Sequence, residues 1–303
     1  MVNWTELRKS ILGEQKRKLL PAKIKAPMLP MALTKFCRKA DDPKASPCDL
    51  AAIIESDGGL TCALLRHVNS ARVGLRNKAS SAQQAMALLG LRNTKLLLMT
   101  AAVQNSLGHL KSKLVNLTLY SHANLERALF ARELAVRLKA DADVAYAGAM
   151  LQDFLLPVLA DELTNDYKQF LDLQRTNPTD FIKLEQEKFG WNHAYAAANI
   201  MWDWGFPDDL ICAVLFHHRG LEMLIDKDLG KTAVAAVAVA SLLPEPWNQC
   251  PSGIQQLRQL EAAWPALKLA ETAVQVETEF RSMSDSDYQL CLMSSFAMEE
   301  ACA

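Results

Sequence analysis

Six histidines stand in this chain, at His67, His109, His122, His193, His217 and His218. Four of them, His122, His193 and the adjacent pair His217–His218, share one half of the chain with Asp153, which interrupts the apolar run MLQDFLLPVLADEL. Neutral imidazoles and a carboxylate offer lone pairs to a divalent ion, and such an ion acidifies a bound water. Helical bundles build metal sites from His and acid side chains carried on separate helices. The same residues can also be hydrogen-bonded members of a core, because a buried polar side chain needs partners. Spacing alone leaves both readings open.

Helices must position these side chains, and helix signals dominate the chain. Ser46-Pro47-Cys48-Asp49 reads as a start, with Ser as N-cap, Pro in the first turn and a carboxylate at the third position. That helix is expected to stop near Gly58-Gly59, with a second beginning around Leu60. Ser81 to Gln84 fits a capping box, Gly90 a left-handed helix end, and Asp141 and Asn177-Pro178 further starts. A long helix is predicted over about Leu117–Lys139, and one helix running through Asp153. Period-2 alternation over five or more residues is missing, so the predicted fold class is all-α. Two helical sub-bundles are expected within residues 26–243, at 26–106 and 116–243. A basic lead-in (1–25) and an acidic helical extension (244–303) flank them.

Composition narrows the function classes. The 303 residues are half hydrophobic and 22% charged, with a net charge of -1, so there is no overall pull toward nucleic acid or membrane. Seven Lys/Arg against Glu6 and Glu14 make residues 1–25 locally basic, and residues 221–303 are acidic, so the two ends are expected to pack on one another. Trp4, Leu7 and Ile11 would supply one apolar face, Trp264, Leu267 and Phe280 the other. Seven scattered cysteines without a CxxC point to free thiols and a reducing, cytoplasmic setting. The longest nearly apolar run, Thr232 to Leu243, is too short for a membrane span of ~20 residues. The stretch AMALLGLRNTKLLLMT has a helix-turn-helix outline, but LLLMT reads as buried.

The order His122, Gln152-Asp153, His193, His217-His218 resembles the HD superfamily of metal-dependent phosphohydrolases. The first half resembles the HD-related output domain, HDOD, more specifically. Leu29-Pro30 matches its Leu-Pro opening, Leu60 to Ala71 its LTxxLLRxxNSA block, and Ser81 to Gly90 its SxxQAxxLLG block. EQEKFGWNHAYAAANIMWDWGFPDDLICAVLFHH matches its closing segment, so the resemblance covers about residues 26–243.

The resemblance implies a set of metal-ligand positions, and this chain departs from it at two. The namesake His is Gln152, and Ser241 stands where the last ligand Asp would be; Leu155 and Leu156 replace a Gly and a Lys of catalytic members. Asp153 then reads as a remnant that accepts hydrogen bonds from His122 or Gln152. The expectation is a non-catalytic signalling module with no catalytic residue and no cofactor beyond a residual divalent ion. His122, Asp153, His193, His217 and His218 would hold such an ion. Arg66, Asn69 and Ser70 of the signature block are expected to be structural. The partner would be a protein or a small signalling ligand bound between the sub-bundles, with a homodimer as one arrangement of the apolar extension. A phosphohydrolase acting on nucleotides is the alternative, and a nucleic-acid-associated regulator the third.

Overall fold

The computed structural model describes residues 2–14, 24, 26–70, 73, 76–108, 110 and 112–283. Among these, every regular element is a helix. In chain order they are α1 (Trp4–Leu12), α2 (Met31–Ala40), α3 (Pro47–Glu55), α4 (Gly58–Val68), α5 (Ala82–Leu107), α6 (Leu117–Leu138), α7 (Ala142–Leu151) and α8 (Leu156–Glu162). There follow α9 (Thr164–Thr176), α10 (Phe181–Phe189), α11 (His193–Asp203), α12 (Asp208–Leu215), α13 (Leu221–Ile225), α14 (Ala233–Ala240), α15 (Gly253–Ala263) and α16 (Leu269–Met283). Short 3-10 turns lie at His217–Arg219 and Pro265–Leu267. The chain divides into two compact units. One comprises Met1–Ala26, Leu110–Asp203 and Pro207–Ala303; the other comprises Pro27–His109 with Trp204–Phe206.

The smaller unit holds α2 to α5. Ser46 and Asp49 close a reciprocal capping box at the start of α3, with Pro47 in the first turn. The Gly58-Gly59 pair opens α4 instead of ending α3. The Asp57 carboxylate accepts from the Leu60 amide at 3.0 Å, and that cap overrides the glycines' poor helix propensity. Gly90, at φ 78°, breaks α5 internally in a conformation that only glycine adopts without strain. Asn69 ends α4, and its amide both accepts from and donates to the Ala79 backbone, at 2.7 and 2.8 Å. It ties the helix end to the start of the next segment. Arg66 reaches the Cys62 sulfur at 3.6 Å, and the Ser70 amide donates to the His67 carbonyl.

The larger unit is built on α6, α7, α12 and α14. Every residue of α14, AVAAVAVA, is buried. Its small side chains let three helices approach closely. A Cβ added at Gly148 of α7 would lie 2.9 Å from Ala213 of α12 and 3.0 Å from Val237 of α14, so that crossing admits nothing larger than hydrogen. Segments 82–107 and 142–162 have the length and apolar composition of a membrane span, which the sequence reading did not flag. Gly90 breaks the first internally, a turn at 152–155 breaks the second, and most of the second is buried in protein.

The two ends of the chain join this unit. On α16, Leu269, Ala273, Val276 and Phe280 form a buried stripe at helical spacing, and the helix packs along α6. Arg132 of α6 pairs with Glu279, and Arg137 Nε donates to the Thr272 hydroxyl at 2.8 Å. Among the described residues, α1 of the lead-in packs on α12. Arg8 Nε bonds Asp208 at 2.6 Å, its guanidinium lies 4.0 Å over the Trp202 ring, and the Thr5 hydroxyl donates to the same carboxylate. Arg8 and Leu12 are the buried residues of α1, and Ile11 is exposed. Asp208 wins because it sits in the first turn of α12 beside an aromatic face, where a guanidinium gains both a charge partner and a stacking partner. Of the other lead-in cations, Lys9 pairs with Glu6 at 3.1 Å, and Lys16, Arg17, Lys18, Lys23 and Lys25 lie outside the described residues.

Arg8→Ala should release α1 from α12. The expected outcome is a loss of ~1–2 kcal/mol in denaturant unfolding, discounted because Asp208 is partly exposed, together with loss of amide-exchange protection over Trp4–Leu12.

Candidate functional site

Asp153 does not lie within a helix. The expected continuous helix ends at Leu151, and residues 152–155 form a turn. Pro157 is the reason: it occupies the first turn of α8 and has no N–H to donate to the Asp153 carbonyl, which a continuing helix requires. The Leu156 amide donates there instead, at 2.9 Å. The turn points Asp153 into the larger unit, where it is 1% exposed.

Four side chains converge at this point. His193 begins α11, His217 and His218 sit on the 3-10 turn that follows α12, and their ring nitrogens and the Asp153 carboxylate lie within 4.8 Å of one another. Asp153 Oδ1 stands 3.2 Å from His193 Nε2 and 3.4 Å from His217 Nε2. His193 Nε2 is 3.4 Å from His217 Nε2 and 2.9 Å from His218 Nε2. Sequence reasoning named all four. It missed what orients them. His217 Nδ1 donates to the Val214 carbonyl at 2.6 Å, which leaves the Nε2 lone pair facing the cluster. His193 Nδ1 lies 2.7 Å from Glu185 Oε2, and the His193 amide donates to the same oxygen at 2.8 Å. The Tyr167 hydroxyl donates to Glu185 Oε1 at 2.6 Å.

Electrostatics follow from this geometry. Burial opposes a charge on His193, but the Glu185 and Asp153 carboxylates outweigh it and hold the imidazole up at about 10. Burial likewise works against the Asp153 carboxylate. The neighbouring His193 imidazole and the charge of Arg127 overcome that and hold it well below the usual carboxylate range. His217 and His218 are pushed down, first by burial, so they are neutral at pH 7.

Arg127 of α6 is the decisive residue that the sequence reading did not single out. It is 3% exposed. Its Nη1 bonds Asp153 Oδ2 at 3.0 Å, and its Nη2 donates to the carbonyls of Ser241 at 3.3 Å and Leu243 at 2.9 Å. Gln152 Nε2 donates to the same Asp153 oxygen at 3.2 Å. The Ser241 hydroxyl donates to the His217 and Ala238 carbonyls, so it fixes the backbone of the histidine turn. His122 is not among the four converging residues, and its ring meets Phe280 of α16 edge to face, 5.6 Å between centroids. Five helical positions separate His122 from Arg127, a rotation of about 140°, so the two residues face different neighbours.

The donor set fits one divalent cation. Four of its separations, 2.9 to 3.4 Å, are those of atoms around an ion at ~2.0–2.1 Å. The Glu185–His193 bond is the arrangement that orients a ligating imidazole. The set does not fit a pair of ions. The second carboxylate oxygen of Asp153 faces Arg127, and neither Gln152 nor Ser241 offers a strong donor there.

The family model for the HDOD domain matches residues 26–220. An uncharacterized protein of Treponema pallidum (strain Nichols) is 26% identical over 200 residues, which are 64% of this chain and 37% of that protein. The chain therefore spans little more than a third of that relative. Similar solved structures include an HDOD domain protein of unknown function from Geobacter sulfurreducens, 19% identical with a TM-score of 0.58, covering 98% of this chain and 93% of that one. A protein from Marinobacter aquaeolei VT8, provisionally named for signal transduction, is 19% identical with a TM-score of 0.58, covering 92% and 65%. One from Shewanella amazonensis SB2B, provisionally named a metal-dependent phosphohydrolase, is 15% identical with a TM-score of 0.62, covering 92% and 100%. At these identities the likeness is one of fold.

Two outcomes are expected at the site. Asp153→Ala leaves the Arg127 guanidinium buried and unpaired, and should cost ~3–5 kcal/mol in denaturant unfolding. The raised His193 pKa adds stability that is fully present below the ordinary imidazole value of 6.5 and is lost as pH rises through about 10. The unfolding midpoint should therefore fall between those pH values, and His193→Gln should flatten that slope.

Proposed function

The chain belongs to the HDOD domain family, and from that premise we propose that it is a non-catalytic regulatory module of signal transduction. The observation that carries the reading is the Arg127 guanidinium. It bonds Asp153 and the backbone at Ser241, and so stands as a fixed internal cation between two positions that the resemblance assigns to metal ligands. A phosphohydrolase centre needs an ion there to acidify water and offset charge on the phosphoryl oxygens. A guanidinium is permanently charged and has no open coordination position, so it offsets the carboxylate without activating water.

The remaining group, His193, His217, His218 and Asp153, would hold at most one divalent ion. Such an ion would supply a fixed charge that ties the 152–155 turn to the start of α11 and to the histidine turn after α12. With every donor coming from the protein, that is the pattern of a structural or sensory ion. The names of two neighbours differ on this point, since one points to signalling and another to phosphohydrolysis. The arginine favours the former.

Metal analysis and turnover test the reading together. Protein equilibrated with Zn or Mn and dialysed should carry no more than about one ion per chain, lost on His193→Ala. Turnover of nucleoside phosphates and cyclic dinucleotides should stay far below the ~1 per second of ordinary enzymes. Hydrolysis near that rate, abolished by Asp153→Ala, would overturn the proposal.

A further inference from the structure

Helix α12 is gripped on two sides. On one, Ala213 closes on Gly148 of α7, at the crossing too tight for an added methyl. On the other, α1 lies against the helix. Asp208, in the first turn of α12, accepts from Arg8 Nε and from the Thr5 hydroxyl, both at 2.6 Å. One turn on, the fully buried Cys212 thiol lies 3.9 Å from the Trp4 carbonyl. Positions 208 and 212 are four apart and share a helix face, and α1 covers that face.

The far end of α12 holds the histidine turn. The Cys212 carbonyl accepts from the Phe216 amide at 3.0 Å, and the Val214 carbonyl takes His217 Nδ1 at 2.6 Å. His217 Nε2 therefore stands where α12 puts it, whereas Asp153 and His193 are carried by other elements. The latch at Asp208 and the carbonyl of Val214 are ~9 Å apart along the helix. Distances from an ion to its ligands tolerate deviations of only ~0.2 Å, so a small displacement of α12 is felt at the cluster.

The hold of α1 is slight. Arg8 and Leu12 are its two buried residues. Arg8 Nη1 is buried and makes no hydrogen bond, so docking leaves one donor unmet. Segments with few buried contacts open at the low end of a protein's local stability.

We propose that α1 is a strap that sets the ion affinity of the His–Asp cluster through α12. Docked, it holds His217 in register with Asp153 and His193; released, it lets the histidine turn relax and the ion leave. The inference rests on the single-ion reading above. Arg8 and Asp208 are positioning residues in this scheme, since neither belongs to the cluster. By linkage, an ion in the cluster holds the strap down by the same factor by which the docked strap strengthens ion binding.

Amide exchange over Trp4–Leu12 in the full chain, with zinc saturating and with zinc chelated, tests the proposal. Zinc should raise the protection of α1 about tenfold, the scale on which residues behind a metal ligand act, and should slow alkylation of the Cys212 thiol beneath it. In His193→Ala, zinc should change neither. Arg8→Ala and Asp208→Asn should each lower the protection of α1 and weaken zinc binding, by up to that same factor. The measurement on the unaltered chain stands even where a variant folds poorly. Protection of α1 that ignores bound zinc, unchanged zinc affinity in variants that have lost that protection, a zinc response that survives His193→Ala, or no zinc binding at all would each overturn the proposal. None of these outcomes touches the regulatory reading, which admits at most one ion and which only hydrolysis or a second ion would sink.

Discussion

A carboxylate buried to 1% exposure needs a permanent positive partner, and in this chain Arg127 is that partner for Asp153. The pair constrains three segments at once. Arg127 rises from α6, Asp153 hangs on the turn before α8, and the guanidinium's remaining donors reach the carbonyls that end α14. Removing a charge from water costs several kcal/mol unless its hydrogen bonds are supplied in full. Here two carbonyls and a carboxylate supply most of them. With Oδ2 fixed by Arg127 and Gln152, only Oδ1 is left to face the histidines.

The histidines are held by a different logic. Tyr167, in a cluster of rings with Phe170, Phe181, Phe189 and Trp247, donates to Glu185, and Glu185 takes both the ring and the amide of His193. An aromatic core thus aims an imidazole through one carboxylate. The charges of the site close on themselves: Arg127 and a protonated His193 offset Asp153 and Glu185. A site balanced in this way keeps its geometry by its own hydrogen bonds, and an ion entering it would take over the role of the His193 proton.

Much of the fold was legible because local signals carried it. The Ser46–Asp49 box, the caps at Ser81 and Asp141, and the left-handed Gly90 are short-range chemistry, and each stands where its residues put it. Other boundaries moved where a second local signal won, as at Gly58, where the Asp57 cap opened a helix, and at Asp180, which precedes α10 in place of Asn177. Of the site, the four converging side chains could be named from type and order alone. Arg127 and Glu185 could not, because their roles depend on which faces of α6 and α10 turn inward, and one charge in an amphipathic helix usually points to water. His122 failed for the same reason in reverse. It has the right residue type, yet its face of α6 is covered by Phe280, from an extension whose packing no local pattern specifies.

The Arg127 bonds at Ser241 and Leu243 are made to backbone oxygens. A main-chain carbonyl is the same whatever side chain the residue bears, so those contacts persist through substitution at either position, provided the backbone holds its course.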